Sequence, residues 1–309
     1  MIIAISPGKV ILLGEHGVVY GKPCISVAIS LKVAVNVEEY FEYTVNGQPL
    51  DEKKHTYIKK AIETIWDGNP LALTTFSQIP SAGGLGSSAA ITTASVAALL
   101  TLKNAFNKEE VARKSFEVEY EVQNGASPND TSACSYGGGI LTWAKEMPGA
   151  LWDITRNGRT WHIYAVDVPD MTIVIGNTGI KSKTPLLLKK IRKCVDHSSF
   201  GAELLEEMEQ IVVEGKRALQ QRDFVRLGEL MNENQRILHT LGASSKEIDR
   251  LLTVALKAGA YGAKLTGAGG GGSMIALTDE PERIAEAIRK KRGRAYVVTV
   301  DKEGVKILK

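Results

Sequence analysis

Residues 80–90 read Pro80-Ser81-Ala82-Gly83-Gly84-Leu85-Gly86-Ser87-Ser88-Ala89-Ala90. The three glycines allow left-handed backbone conformations and close approach of main chain to a neighbour. From Ser87 to Ala105 the chain is apolar on nearly every side at helical spacing, which predicts a buried helix. The first turn of a helix has unpaired N–H groups and a partial positive charge, so a glycine-rich turn before it suits a polyphosphate.

This segment differs from the better-known phosphate loops. The Walker A pattern requires a lysine that is missing here, and the pattern G-x-G-x-x-G does not fit. One alternative stays open on these residues alone: an ordinary glycine turn whose helix is capped by the Ser87 side chain.

The remainder of the chain predicts a mixture of strands and helices in no strict alternation. Expected strands include 2–6, 71–77, 136–143, 161–167, 171–176, 273–277, 294–299 and 304–308, with further β-rich sequence up to about residue 40. Expected helices are 55–67, 87–105, 109–123, 184–193, 202–220, 223–239, 245–258 and 281–292. This order favours the α+β class over a doubly wound sheet. With 309 residues, two domains are expected, divided as 1–168 and 169–309.

Composition narrows the class of protein. The net charge of +3 suits anionic small molecules and gives little support to nucleic acid as a partner. The three cysteines have no disulfide or zinc spacing, which is typical of reduced thiols. Because neither a signal peptide nor an apolar run long enough for a bilayer is visible, we expect a cytoplasmic protein without membrane contact.

Two further segments concentrate glycine and charged residues. The first is Ser6-Pro7-Gly8-Lys9-Val10-Ile11-Leu12-Leu13-Gly14-Glu15-His16-Gly17-Val18-Val19-Tyr20-Gly21, in which a strand over 2–6 is expected to end at a Pro7-Gly8 turn. The second is Lys264-Leu265-Thr266-Gly267-Ala268-Gly269-Gly270-Gly271-Gly272-Ser273. Taken singly, Lys9 could be a surface charge and His16 a core histidine.

These three segments, in this order, resemble the three motifs of the GHMP small-molecule kinases, named after galactokinase, homoserine kinase, mevalonate kinase and phosphomevalonate kinase. Within that family the first segment is most similar to the archaeal-type mevalonate kinases. A galactokinase would have an R-V-N element, where this chain has Lys9-Val10-Ile11. The resemblance implies an N-terminal α+β domain with a left-handed βαβ crossover and a C-terminal ferredoxin-like domain.

The resemblance also implies roles for individual residues. Asp130 matches the general base and Lys9 the electrostatic stabiliser beside it, while Ser88 and Glu119 match the magnesium ligands. Residues implied to contact the acceptor are Glu15, His16, Thr184, Gly267, Ala268 and Gly269. Residues implied to bind ATP are Pro80, Ser81, Ala82, Gly83, Gly84, Leu85, Gly86, Ser87, Ser88, Ala89 and Ala90.

Some of these residues have simpler interpretations. Asp130 could be a turn residue, and Glu119 could belong to a solvated helix face because Glu117 and Glu121 flank it. The chain also departs from the family: it has Ser127-Pro128-Asn129-Asp130 where many mevalonate kinases have P-S-G-V-D.

The expected activity is transfer of the ATP γ-phosphate to the primary (5-)hydroxyl of mevalonate, with Mg²⁺ as cofactor and a homodimer as the common assembly of relatives. Alternatives within the family are phosphomevalonate kinase and mevalonate 3-kinase. Two other classes stay open: a serine acyl-transfer enzyme, because Ser6-Pro7-Gly8-Lys9 satisfies S-x-x-K, and a non-catalytic nucleotide sensor.

Overall fold

The computed structural model describes residues 1–81, 83–181 and 184–308, excluding the side chains at positions 184–186, 188 and 190. Its strands are β1 Ile2–Leu13, β2 Cys24–Glu39, β3 Thr44–Val45, β4 Gln48–Pro49, β5 Leu71–Ser77, β6 Gly139–Trp143, β7 Ala150–Arg156, β8 Arg159–Val166, β9 Thr172–Asn177, β10 Gly262–Thr266, β11 Ser273–Leu277, β12 Arg294–Thr299 and β13 Lys306–Leu308. Its α-helices are α1 Thr56–Ile65, α2 Ser87–Leu102, α3 Lys108–Gln123, α4 Asn129–Tyr136, α5 Thr184–Asp196, α6 Ser199–Gln221, α7 Phe224–Thr240, α8 Lys246–Lys257 and α9 Pro281–Lys290. A short 3₁₀ turn spans Gly17–Tyr20.

The first sheet is built around the long strand β2. Within the described residues it has nine strands, in the order β4-β3-β5-β2-β6-β8-β7, with β1 on the other edge of β2 and β13 beside β1. The alternation of buried and half-buried residues near the end of β2 is typical of a sheet with one face on the core. This sheet places the N-terminal segment next to the phosphate-loop helix.

Helix α2 is the central helix of the first half of the chain. It packs against β1, β2, α1, α3 and α4. The helix has small and apolar residues on all its faces. Most of these residues are buried, as the sequence predicts for a core helix. Its N-terminus therefore has a fixed position relative to β1.

The second sheet is antiparallel and has the order β10-β11-β9-β12. Numbered along the chain, these four strands lie in the spatial order 4-1-3-2, and helices connect the first to the second and the third to the fourth. This is the ferredoxin-like arrangement, as predicted. Strand β10 packs against α7 and α8, which bury apolar faces on the sheet.

The last strand returns to the first sheet. Strand β13 pairs antiparallel with β1, with Ala4 opposite Ile307. The Asp301 N–H donates to the Ala28 carbonyl at 2.9 Å, so the chain joins the first sheet before β13 begins. Residues 301–308 thus pack with the first half of the chain, although the predicted C-terminal domain 169–309 included them.

The structure corrects the prediction that the first strand ends at Ser6. Strand β1 continues to Leu13 and pairs with β2, with a bulge between Pro7 and Gly8. A side chain at Gly8 would meet Ile79 Cδ1 and the Leu85 carbonyl oxygen, both at 2.8 Å, so glycine permits close packing here. Pairing along β2 outweighs the local preference of Pro7-Gly8 for a turn.

A second correction concerns residues 129–136, which were expected to be a loop before the next strand and form α4 instead. Strands β3, β4, β7 and β10 were not predicted. Across the described residues, every helix is too short or too polar to cross a lipid bilayer.

Candidate active site

The glycine turn before α2 adopts the left-handed conformations that the sequence predicts. Gly84 and Gly86 have φ angles of 76° and 72°. Gly86, not Ser87, occupies the N-cap position of α2, and it provides no side-chain cap. The alternative of a turn capped by Ser87 is therefore wrong, and the first N–H groups of α2 are not used by a serine cap. Ala82 lies outside the described residues.

Glycine is required at position 86 because the side chain of Lys9 passes over it. A Cβ atom on Gly86 would lie 2.8 Å from Lys9 Cγ and 3.1 Å from Lys9 Cε. The Lys9 main-chain N–H donates to the Leu85 carbonyl at 3.0 Å. The first and second sequence motifs are therefore in direct contact.

Lys9 pairs with Asp130. The Lys9 Nζ atom lies 2.9 Å from Asp130 Oδ2 and 3.3 Å from the Gly84 carbonyl oxygen. Lys9 is 1% exposed, which rules out a surface charge, whereas the Asp130 side chain is 34% exposed. Burial by itself lowers the pKa of Lys9, but the Asp130 carboxylate offsets this, and the Lys9 pKa lies above its ordinary value. The ammonium group is thus charged at neutral pH.

The buried side-chain amide of Asn129 contacts the carboxylate oxygen of Asp130 that does not face Lys9. Asn129 Nδ2 donates to Asp130 Oδ1 at 3.1 Å and to Ser26 Oγ at 2.8 Å, while Thr142 Oγ1 donates to Asn129 Oδ1 at 3.1 Å. Strands β2 and β6 therefore fix the amide whose N–H faces the carboxylate. Asp130 also lies in the first turn of α4, where the helix dipole favours negative charge. It is not a simple turn residue.

Glu119 lies inside the protein, on the face of α3 that points toward α2. It is 3% exposed, so the alternative of a solvated helix face is wrong. Burial is the main cause that raises its pKa to about 7; the Asp130 charge adds to this, and a hydrogen bond with Ser88 opposes it. Gln123 Nε2 donates to Glu119 Oε1 at 3.2 Å. A buried carboxyl and a hydroxyl together form a hard oxygen pair.

The third motif contains a lysine that forms an ion pair with a residue of the first motif. Lys264 on β10 forms a buried ion pair with Glu15, and both side chains are within 1% of full burial. Lys264 Nζ also donates to the Leu265 carbonyl at 2.7 Å. Burial raises the pKa of Glu15 and lowers that of Lys264, and each partner's charge works against the shift. Glu15 therefore anchors the first motif to the second half of the chain.

His16 is a neutral imidazole. Burial lowers its pKa to about 4. Its Nε2 atom lies 3.0 Å from the Ala268 carbonyl oxygen, which can only accept, so Nε2 carries the proton. The other ring nitrogen, Nδ1, is then an acceptor, suited to a donor such as a hydroxyl group.

The glycine loop 267–272 connects the paired strands β10 and β11 and is in contact with three other segments of the chain. Gly267, Gly269 and Gly271 all have positive φ angles. The Gly270 and Gly272 N–H groups donate to the carbonyls of Ala243 and Ile180, each at 2.8 Å. A Cβ atom on Gly267 would lie 2.9 Å from Gly84 Cα, so this loop packs directly on the phosphate turn.

The structure thus brings the described residues of all three motifs together, and two predicted site residues are not placed by it: Ala82 and the side chain of Thr184. Thr184 is the first residue of α5, and its side chain lies outside the described residues. The acyl-transfer alternative is not supported, because Ser6 lies within strand β1 and not at the start of a helix.

Sequence reasoning missed Lys264 as the partner of Glu15 and Asn129 as the partner of Asp130. Only the departure from P-S-G-V-D pointed to position 129.

The chain is similar to known proteins over nearly its whole length. The family described as "GHMP kinases N terminal domain" matches residues 56–138, and "GHMP kinases C terminal" matches residues 216–295. The mevalonate kinase of Pyrococcus abyssi is 33% identical over 345 aligned positions that cover 99% of this chain and 98% of the relative.

Solved structures agree with the sequence comparison. The Methanococcus jannaschii mevalonate kinase has a TM-score of 0.79 and 27% identity, covering 96% of this chain and 98% of its own. The L. major mevalonate kinase in complex with R-mevalonate has a TM-score of 0.81 and 26% identity, covering 96% and 95%. Together with the family matches over both halves, these similarities show that the chain belongs to the GHMP kinases and is an ATP-dependent kinase.

Proposed function

We propose that this kinase transfers the γ-phosphoryl group of ATP to the primary 5-hydroxyl of mevalonate. The names of the full-length relatives support the choice of acceptor. The single observation behind the mechanism is the position of Lys9 Nζ, between the Asp130 carboxylate and the Gly84 carbonyl of the phosphate turn. This position supports a role for Asp130 as a base beside the proposed phosphate site.

Asp130 is the proposed general base. Its carboxylate accepts the proton of the acceptor hydroxyl as the hydroxyl oxygen bonds to the γ-phosphorus, and the bond to the β,γ-bridging oxygen breaks to release ADP. Lys9 is the proposed electrostatic stabiliser, because its charged ammonium can face the negative charge that develops on the transferring group. Positioning by the rigid strand β1 reduces reorganisation during the transfer.

The phosphate turn and the start of α2 are the proposed triphosphate site. Residues 80–90 would bind ATP through main-chain N–H groups, with the hydroxyls of Ser87 and Ser88 as further donors. Ser88 and Glu119 are the proposed ligands of Mg²⁺, because a hydroxyl and a carboxylate are hard oxygen donors. When bound, the ion would neutralise charge on the phosphates.

The acceptor would lie between the first and third motifs. His16 would accept a hydrogen bond from an acceptor hydroxyl at Nδ1, and residues 267–269 would border the acceptor beside the phosphate turn. Glu15 would act by holding this loop through Lys264. Thr184 stays a predicted acceptor contact, and the homodimer and the cytoplasmic location stay predictions.

The test is the variant Asp130→Asn, which keeps the size of the side chain and removes its basicity. We expect kcat for mevalonate to fall by about 10²–10⁴-fold, the usual contribution of a general base. The dissociation constant of a non-hydrolysable ATP analogue should change little. Asp67→Asn, on an exposed aspartate, is the matched control.

Phosphorus NMR of the product identifies the acceptor position. A 5-phosphate supports the proposal; a 3-phosphate, or turnover only with phosphomevalonate, would favour one of the two alternative kinases of the same family. A near-normal kcat for Asp130→Asn would show that Asp130 is not the base.

A further inference from the structure

A cavity of about 330 Å³ is lined in part by His16 and by no residue of the phosphate turn. Its wall includes three arginines: Arg156 at the end of β7, Arg159 at the start of β8, and Arg192 on α5. Gly125 and Ala126, shortly before Asp130, also line it. The cavity is thus connected to the region where the acceptor is proposed to bind, while its arginines come from segments outside the three sequence motifs.

Two of the guanidinium groups are held by aromatic rings of the same cavity. The Arg156 guanidinium lies 5.0 Å from the ring centre of Tyr120, and that of Arg159 lies 5.8 Å from the ring centre of Trp161. Arg159 also donates to the Val19 carbonyl. Stacking restrains the planar groups and leaves several of their five N–H donors for another partner.

The described wall of this cavity is positively charged, and the carboxylates of Glu121 and Asp196 lie just beyond the lining residues. None of its described lining residues is an aspartate or a glutamate. The carboxylate nearest to Arg156 belongs to Glu121, at 3.7 Å, which is longer than a hydrogen bond. Burial is the main cause that raises the pKa of the Tyr20 phenol; the nearby Asp196 carboxylate raises the pKa further, and Arg192 lowers it. Three cations that share one cavity repel each other unless an anion lies between them.

We propose that this cavity, named here the arginine pocket, binds the phosphate group of a small phosphorylated molecule. Each arginine guanidinium can donate two hydrogen bonds to a pair of phosphate oxygens. Three guanidinium groups offer more donors than the two oxygens of one carboxylate can accept in this way. The aromatic and apolar residues Tyr120, Trp161 and Ile191 would contact the carbon part of the ligand. The phosphate could belong to a phosphorylated acceptor or to free phosphate or pyrophosphate.

The location predicts a functional effect. Because His16 borders both the arginine pocket and the proposed acceptor site, a ligand that fills the pocket would obstruct the acceptor. This part of the inference rests on the proposed function, whereas binding of phosphate to the arginines does not.

Isothermal titration with inorganic pyrophosphate tests the pocket. The protein is first saturated with a non-hydrolysable ATP analogue, so that the phosphate turn is already filled. We expect saturable binding that Arg159→Gln and Arg192→Gln each weaken by about tenfold or more, the usual effect of losing a charge-assisted hydrogen bond. Arg283→Gln, an exposed arginine on α9, should leave the affinity unchanged. Arg192→Lys keeps the charge without the fork and should still weaken binding.

The proposal is overturned if pyrophosphate does not bind to the saturated protein, or if the two glutamine variants bind it as well as the wild type does. Kinetics with mevalonate and phosphomevalonate then separate the sources. If the phosphate belongs to an acceptor, phosphomevalonate is turned over and its KM rises in the variants; if it is free, pyrophosphate inhibits competitively against mevalonate. Failure of mevalonate turnover with arginine-dependent binding intact would refute the proposed function alone.

Discussion

The substitution Lys264→Met tests whether the buried ion pair of Glu15 and Lys264 stabilises the folded protein. Methionine has nearly the length of lysine without its charge, so the substitution removes the cation and leaves no large cavity. The Glu15 carboxyl then remains inside the protein without its partner, and its Oε2 atom already has no hydrogen-bond partner among the described residues. The Leu265 carbonyl loses a donor at 2.7 Å as well.

The expected cost follows from these contacts. Removal of one partner of a buried ion pair typically lowers the free energy of unfolding by about 3–5 kcal/mol. Protonation of Glu15 limits this loss, because burial has already raised the pKa of the carboxyl. The penalty should therefore shrink as pH falls, since the folded variant then takes up the proton that the unfolded chain binds less tightly.

The double variant Glu15→Gln/Lys264→Met provides the control. It removes both charges, and replacing a buried pair as a whole is often close to neutral. We expect its free energy of unfolding to lie within about 1–2 kcal/mol of the wild-type value, in urea titrations followed by circular dichroism and tryptophan fluorescence. A loss below about 1 kcal/mol for Lys264→Met, or a double variant less stable than the single one, would refute this reasoning.

Two other predictions concern the surroundings of the proposed base. Burial raises the pKa of Glu119 to about 7 from 4.5. The folded nucleotide-free protein therefore binds more protons than the unfolded chain between these values, and its stability falls as pH rises through that window. The melting temperature of the wild type should accordingly fall more steeply over this range than that of Glu119→Gln, and parallel profiles would contradict it. Asn129→Leu removes a donor to the Asp130 carboxylate and should lower kcat by about tenfold to a hundredfold while nucleotide affinity is kept. Thr142→Val, one bond further away, should have a smaller effect; an unchanged kcat in Asn129→Leu would show that the amide does not position the base.

The phosphate turn was predictable because its signal is local. Glycines at 84 and 86 and the apolar run after Ser87 specify a left-handed turn and a buried helix without reference to the rest of the chain. The helices of the second half were predictable for the same reason, as the clear apolar face of α6 illustrates, whereas strand β10 was missed.

The contacts that complete the site depend on distant parts of the chain. Glu15 and Lys264 are 249 positions apart, and a single lysine in a short strand gives no sign that it will be buried. Helix α4 has a mostly polar sequence without helical periodicity, so its place against α3 and β1, and not its own pattern, accounts for it. The chain through Pro7-Gly8 stays extended because β2 pairs with it.

Strand β1 is shared between the two halves of the molecule. Beyond its pairing with β2 and β13, the Ile11 N–H donates to Thr266 Oγ1, and just past its end the Gly14 N–H donates to Asn234 Oδ1, each at 2.9 Å. A rotation of one half of the molecule against the other would break these hydrogen bonds and displace Lys9 from Asp130. We therefore expect substrates to enter by local rearrangement of surface segments while strand β1 keeps its position. This differs from kinases in which two domains close about a hinge.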